Sequence, residues 1–265
     1  MKNIPVKTAR CVDGRRLVYY RSQVNADFWD THWEKNLSKE MYTGAERGHL
    51  GWFEETFTRY LPNDGLILEA GCGLGKYLLA LRVRGYNAEG VDSGPETVKT
   101  VQTLYPDLPI RVGDVTRLEV PNDYYSGYIS LGVMEHCRKG PEPFLKEAYR
   151  VLENDGVALI SVPCFHPLRR LKAYLGFYDG QTDGLDFYQY AYTKKEFSSL
   201  LHAAGFTIID DMLYDGFKGV KDEIPLLLRI FQWRYIGWRL EKWLRSSEYV
   251  KRNLGHMILF TCRKD

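Results

Sequence analysis

Much of what would place this chain in a special class is missing from it. Five cysteines, at 11, 72, 137, 164 and 262, form no CxxC pair and are odd in number. That argues against a disulfide framework or a structural zinc site and fits a reducing compartment. No run of about 18 apolar residues occurs, so no membrane-spanning helix is expected. The opening MKNIPVKTAR has no apolar core, so no signal peptide is expected and the expected location is the cytoplasm. Lys and Arg number 36 against 34 Asp and Glu, a formal charge of +2. So even a balance gives no bulk electrostatic case for nucleic acid, and no recognition motif supplies one. Internal repeats, low-complexity linkers and metal-ligand spacings are absent too, and no metal is expected. What is present is 265 residues, 45% hydrophobic and 14% aromatic, enough for one sizeable domain with decorations.

Residues 1–60 are polar and aromatic, with NADFWDTHWEKN and GHLGWFEETFTRYL reading as short helices. From Leu66 onward, short apolar runs alternate with amphipathic stretches. LILEA (66–70) precedes a helix near 75–84, and NAEGV (87–91) precedes one near 95–105. PIRVG (109–113), YYSGYISLGV (124–133), a helix near 141–152 and GVALISVP (156–163) follow. This βαβα alternation predicts an α/β fold with a parallel, doubly wound sheet, in which ligands bind beyond the C-terminal strand ends. After 163 the regularity lapses until TKKEFSSLLHAAG (193–205), a helix with a Thr193/Glu196 capping box and a Gly205 stop. FTIIDDML (206–213) and HMILFTCRK (256–264) read as the last strands. The expected division is an N-terminal helical cover (1–60), a core (61–215 with 255–265) and a helical insert (216–254).

The glycines after the first strand, Gly71, Gly73 and Gly75, let the chain turn tightly and pass close to a ligand. A phosphate loop does not fit. The Walker pattern requires Lys-Ser/Thr after its last glycine, and Tyr77 follows Lys76. The dinucleotide fingerprint G-x-G-x-x-G requires glycine where Lys76 stands. Glu69, just before the loop, would repel a pyrophosphate and suit a ligand with a positive charge. Asp92 ends the second strand, where an acid accepts from both ribose hydroxyls. Asp114 follows the third, placed to accept from an exocyclic amine. Simpler readings stand beside these: a plain turn at the glycines, helix–sheet packing at Gly75, a solvated acid at 92, a turn residue at 114, and small buried thiols at Cys72 and Cys137.

Taken in order, EAGCGLG, GVD, GDV, SLGVMEH and YRVLENDG resemble a class I S-adenosylmethionine-dependent methyltransferase over about residues 60–213 and 255–265. The resemblance implies a Rossmann-like, seven-stranded sheet with an antiparallel last strand and S-adenosyl-L-methionine as cofactor, leaving as S-adenosyl-L-homocysteine. It implies Gly71, Cys72 and Gly73 beside the methionine part and Glu69 near its ammonium. It implies Asp92 and Ser93 at the ribose, Asp114 and Val115 at the adenine, and the backbone of Leu131 toward the methionine. RGHLGWF (47–53) resembles the segment before the first motif of ubiquinone-pathway O-methyltransferases, which adds Arg47 near the cofactor's carboxylate.

Because a sulfonium carries its own leaving group, the protein chiefly has to align a nucleophile and exclude water. A hydroxyl acceptor gains from a general base. His136, just past the fourth strand, is the candidate; the alternative is that it packs its turn. His166 is a weaker candidate, His202 reads as surface or packing, and Glu135 either orients His136 or is solvated. The amide-methylating Asp/Asn-Pro-Pro-Tyr sequence is absent at 130–133, which disfavours DNA adenine and protein glutamine. The expected activity is O-methylation of a small or lipid-associated acceptor. N-methylation of a small amine and a non-catalytic cofactor-binding subunit are the alternatives.

Two decorations bear on the acceptor. HPLRRLKAYLGFY (166–178) sets Arg169, Arg170 and Lys172 among aromatics. Residues 224–253 hold seven Lys and Arg. Leu226, Ile230, Trp233, Gly237, Leu240 and Leu244 form one helical seam expected to pack on the core. Leu227, Phe231, Tyr235 and Trp238 mix with Arg234, Lys242 and Arg245 opposite it. Such a second face fits peripheral contact with an anionic bilayer, a lid over a hydrophobic substrate, a homodimer contact, or packing with snorkelling arginines.

Overall fold

The computed structural model describes residues 6–24, 28–178, 180–224 and 236–265. At its centre is a sheet of seven strands: β3 (Ile67–Ala70), β4 (Ala88–Asp92), β5 (Ile110–Val112), β6 (Tyr125–Leu131), β7 (Leu152–Pro163), β9 (Phe206–Tyr214) and β10 (Met257–Lys264). Their order is β5-β4-β3-β6-β7-β10-β9. The first five run parallel, and β10 lies antiparallel between β7 and β9, with Phe260 opposite Ile160 and Asp211. This is the expected doubly wound, Rossmann-like sheet.

The apolar runs are nearly continuous because both faces are covered and successive side chains point to opposite faces. Leu68, Tyr128 and Ile160 enter one core; Ile67, Ile129 and Leu159 enter the other. Helices α6 (Glu142–Val151) and α8 (Lys194–Ala203) cover the first face through Leu145, Ala148, Phe197 and Leu201. Helices α3 (Glu54–Tyr60), α4 (Lys76–Val83) and α5 (Pro95–Leu104) cover the second through Phe57, Leu78, Leu81, Val98 and Val101. At α8 half of the predicted capping box forms. The Thr193 hydroxyl accepts from the Glu196 N–H at 3.2 Å, but the Glu196 carboxylate turns to Arg16 Nε at 2.6 Å. A full charge is the stronger partner for that carboxylate.

Two differences from the expected organisation stand out. The N-terminal cover is helical from Phe28 onward, in α1 (Phe28–Asn36) and α2 (Lys39–Ala45), but opens with a hairpin: β1 (Thr8–Asp13) and β2 (Arg16–Arg21). Its two-residue turn is Gly14-Arg15, with Gly14 at φ 58°, where glycine costs least. β2 then pairs with β8 (Asp186–Ala191), placing Leu17 opposite Ala191. The irregular-looking segment after 163 thus completes a second, three-stranded antiparallel sheet. It also contains α7 (Pro167–Tyr174).

The insert contains α9 (Gly216–Lys221), α10 (Ile236–Ser246) and α11 (Glu248–Asn253). Of the predicted seam, Leu240 and Leu244 turn inward, yet onto Val220 and Val250 in a satellite cluster rather than the main core. Opposite, Trp238 is exposed with Lys242 over its ring at 5.3 Å. Arg245 lies 3.9 Å from the Phe217 ring centroid and pairs with Glu241. Leu226, Leu227, Ile230, Phe231, Trp233, Arg234 and Tyr235 lie outside the described residues.

Hairpin, α7 and insert meet at one carboxylate. Glu223, fully buried, takes Arg10 at 2.6 Å, Arg169 at 3.0 Å and Lys172 at 2.9 Å, and the Tyr178 hydroxyl donates to it. Arg169, itself 0% exposed, also donates to Cys164 O and reaches His256 Nδ1 at 2.8 Å. Burial pushes the Glu223 carboxyl up, but the bonds from Tyr178 and Lys172 and the charges of Arg10 and Arg169 outweigh it and hold the pKa at about 2.

Candidate active site

The sharpest local constraint is the turn between β3 and α4. Gly71, Gly73 and Gly75 have φ of 76°, 51° and 66°, values that favour glycine. The Gly71 and Cys72 N–H groups donate to Val91 O at 2.7 and 3.1 Å, which binds the turn to the end of β4. A Cβ on Gly73 would stand 2.6 Å from the Trp33 ring, and one on Gly71 would stand 2.5 Å from Val133. These glycines therefore admit the aromatic cover and the loop after β6. Gly75 at the N-cap of α4 faces Leu108 and Val101, which is the packing role.

Asp92, 7% exposed at the end of β4, accepts from Gly73 N at 2.7 Å and Gly94 N at 3.0 Å. One carboxylate thus fixes both the glycine turn and the start of α5. Burial raises its pKa, and the two N–H bonds partly offset that. Asp114, exposed, accepts with Oδ1 from the Thr116 N–H and hydroxyl, which shapes its turn and leaves Oδ2 for another donor.

Around this turn lie two adjoining chambers. The smaller, 260 Å³, is lined by Asp92, Ser93, Gly113, Asp114, Val115 and Phe144. The larger, 420 Å³, is lined by Glu69, Cys72, Leu131, Glu135, Tyr188 and their neighbours. Trp29, Trp33, Gly71, Gly132 and His136 belong to both. Ten predicted residues therefore come together at the C-terminal ends of β3 to β6: Glu69, Gly71, Cys72, Gly73, Asp92, Ser93, Asp114, Val115, Leu131 and His136, with Gly73 in the turn beneath Trp33. Arg47 does not join them; it is exposed in the turn after α2 and lines neither chamber. His166 belongs to a different cavity. His202 bonds Phe206 O, a packing role.

Sequence reasoning missed the aromatic walls. Trp29 lies 4.5 Å from the His136 ring and Tyr188 lies 5.0 Å from it. Asp30 docks α1 on α5, accepting from the Thr97 N–H at 2.9 Å and hydroxyl at 2.7 Å. The alternating aromatics in NADFWDTHW marked a cover, but not which rings face the cleft.

Two carboxyls in the larger chamber are unusual. Glu69 and Glu135 are 4% and 2% exposed, and each has an Oε2 with no hydrogen-bond partner among the described residues. Burial pushes both pKa values up to about 8. His136 is the reverse: burial lowers it to about 4, against the bond to Tyr188 that raises it. Its Nδ1 lies 2.8 Å from Tyr188 O. A carbonyl can only accept, so Nδ1 carries the proton and Nε2 keeps its lone pair. Glu135 Oε1 lies 3.9 Å from that Nε2, beyond a hydrogen bond.

Comparison with known proteins agrees with this geometry. Residues 68–160 match the family model described as Methyltransferase domain. A protein of Mycolicibacterium smegmatis named "Probable S-adenosylmethionine-dependent methyltransferase" is 30% identical over 147 residues, 55% of this chain and 53% of that protein. The chain thus matches about half the length of this curated relative. A chain from the complex of the Haloferax volcanii Trm112 methyltransferase activator with a methyltransferase superposes with a TM-score of 0.60 at 17% identity, covering 89% of this chain and 96% of that one. A SAM-dependent methyltransferase from Methanosarcina mazei gives 0.56 at 17% identity, covering 79% and 96%. The fold is that of Rossmann-like methyltransferases, and residues 68–160 are the part that resembles the domain family.

The cofactor this implies is S-adenosyl-L-methionine, and the residues present fit it. The smaller chamber offers the Asp92 and Asp114 carboxylates and, among the described residues, no Lys or Arg in its lining; such a wall suits a nucleoside and not a pyrophosphate. Glu69 lines the larger chamber, and its Oε2, without a partner among the described residues, leaves an acceptor for a cationic group.

Proposed function

We propose that this protein is an S-adenosylmethionine-dependent methyltransferase that acts on a hydroxyl of a small or lipid-associated acceptor. The observation that carries the reading is Asp92. Its buried carboxylate stands between the glycine turn and the smaller chamber, with lone pairs left for two ribose hydroxyls. Bound there, the cofactor supplies an activated methyl group on a sulfonium. Asp92, Ser93 and Asp114 hold the nucleoside, Glu69 meets the ammonium, and the backbone at Gly71 to Gly73 and Leu131 borders the methionine part. Trp29, Trp33 and Tyr188 keep water from the acceptor side. His136 Nε2 takes the hydroxyl proton while its Nδ1–H stays on Tyr188 O.

The test is calorimetry with S-adenosylhomocysteine. Wild-type protein binds it and does not bind NADH. Asp92→Ala loses charge-assisted hydrogen bonds of roughly 1.5–3 kcal/mol each, so affinity falls at least about tenfold. Equal affinity in the variant would overturn the assignment.

A second reading, N-methylation of an amine, is favoured by one observation. Glu135 puts a second unpartnered carboxyl on the larger chamber, where it would match an ammonium. Label transfer from methyl-labelled cofactor to hydroxyl or amine acceptors separates the two readings.

A further inference from the structure

The larger chamber holds two polar groups besides those assigned to the cofactor. One is His136 Nε2, which keeps its lone pair because Nδ1 is committed to Tyr188 O. The other is the carboxyl of Glu135. It is 2% exposed and lines the chamber, and its Oε2 has no hydrogen-bond partner among the described residues. Apart from its own backbone N–H, nothing offsets its burial, and no Lys or Arg pairs with it among the described residues.

The place of the pair is informative. Gly132 lines both chambers, and a Cβ on it would stand 3.4 Å from Glu135 Oε1. The carboxyl therefore lies where the cofactor side and the acceptor side join. His136 lines both chambers too, and its Nε2 is 3.9 Å from Oε1. Hydrogen bonds of about 2.8 Å to two atoms that far apart reach two donors standing side by side on one small molecule.

A single hydroxyl cannot donate to both, because it has one proton. Given to Nε2, that proton leaves Glu135 as it was. The second donor has to be a neighbouring group, and its charge follows from the surroundings of the carboxyl. A neutral donor would satisfy one oxygen. A cation also supplies the counter-charge that the protein withholds. The walls suit a cation as well: Trp29, Trp33 and Tyr188 line the chamber, and aromatic rings attract ammonium groups. The charged lining is Glu69, Glu135 and Asp215 against Lys76 and Lys218. Of the lysines, Lys218 is exposed and Lys76 lies 5.4 Å from the Tyr77 ring centroid.

We propose that the acceptor is a hydroxylated amine, with an ammonium beside the hydroxyl that receives the methyl, the hydroxyl on His136 Nε2 and the ammonium on Glu135. This rests on the hydroxyl reading above and names its substrate class. As the oxygen–methyl bond forms and the carbon–sulfur bond breaks, the hydroxyl proton passes to Nε2 and the electron pair of the broken bond stays on sulfur. The nitrogen, held protonated against the carboxylate, has no lone pair and is not methylated. Glu135 is thus a specificity residue: it selects the acceptor and keeps the methyl on oxygen.

The test uses the complex with S-adenosylhomocysteine and measures, by ligand-detected NMR, the affinity for ortho-aminomethylphenol and for its uncharged isostere ortho-ethylphenol. Wild type should bind the amine at least about tenfold more tightly, and Glu135→Gln should lose that gain. Thermal melting and S-adenosylhomocysteine affinity establish that the variant is folded with its cofactor side intact, and the wild-type comparison stands without any variant. Methyl-labelled cofactor then locates the product, with label expected on the phenol oxygen. Equal affinity for the two phenols in wild type, binding of neither included, overturns this inference and leaves the hydroxyl reading standing. So does a gain that survives in Glu135→Gln. Label on the nitrogen overturns both. A protein that does not bind S-adenosylhomocysteine overturns the cofactor assignment beneath them, so the failures are told apart.

Discussion

Glu69 and Glu135 in the cleft and Glu223 beneath the hairpin are all acids taken out of water, and they are treated in opposite ways. Glu223 is saturated: three cations and a tyrosine meet it, and its pKa stays at about 2. Glu69 and Glu135 each keep an oxygen without a partner among the described residues, and their pKa values rise to about 8. A carboxylate surrounded by protein cations has its work inside the fold. A carboxyl left short of partners beside a cavity has capacity for something that arrives.

The comparison breaks most visibly at Glu223. Glu223→Ala leaves Arg169 buried without a counter-ion, which costs on the order of 3–5 kcal/mol. The melting temperature should fall by about 10 °C or more in a thermal scan. The native pKa lies below the unfolded one, so this contribution is whole above about pH 4.5 and is lost as pH falls toward about 2. A melting temperature within a degree or two of wild type would mean the cluster does not tie the hairpin down.

A smaller effect is expected at the base. His136→Ala should reduce turnover by about 10²-fold and leave S-adenosylhomocysteine affinity nearly unchanged. Burial keeps the imidazole neutral down to about pH 4, so its charging should not reduce the wild-type rate between pH 7 and 5.5. Full turnover in the variant would make His136 a packing residue only.

The smallest effect sharpens the contrast itself. Glu135 binds its proton more tightly folded than unfolded, so its contribution to stability is full below about pH 4.5 and is lost as pH rises through about 8. Glu135→Gln cannot ionise. It should therefore melt several degrees above wild type at pH 8.5, less far above it at pH 6, and nearly level with it at about pH 4. A loss as large as that at Glu223 would erase the distinction between the two regions.

The central sheet was legible because its strands are buried on both faces, so LILEA and GVALISVP stand out as apolar runs. The cleft was legible because Asp92 ends β4 and Asp114 lies two residues past the end of β5. The hairpin was not read, although VDGRRLVYY carries a glycine at the first position of its two-residue turn, Gly14-Arg15. Its partner, β8, lies far along the chain in a stretch with no period of its own. Arg47 was misplaced for a related reason: local similarity carries no information on which way a turn faces. The insert's seam was read correctly at Leu240 and Leu244, but periodicity does not name the surface a helix packs on.

The pairing of β2 with β8 also has a consequence in time. Residues 16–21 find their partner only when 186–191 exist. At about 5–20 residues per second of synthesis, that wait is roughly ten to thirty seconds. Throughout it, the β2 edge that β8 will cover has no native neighbour. A nascent chain halted before residue 186 should therefore be captured by holding chaperones through its first strands, and should be released once the third strand closes the small sheet.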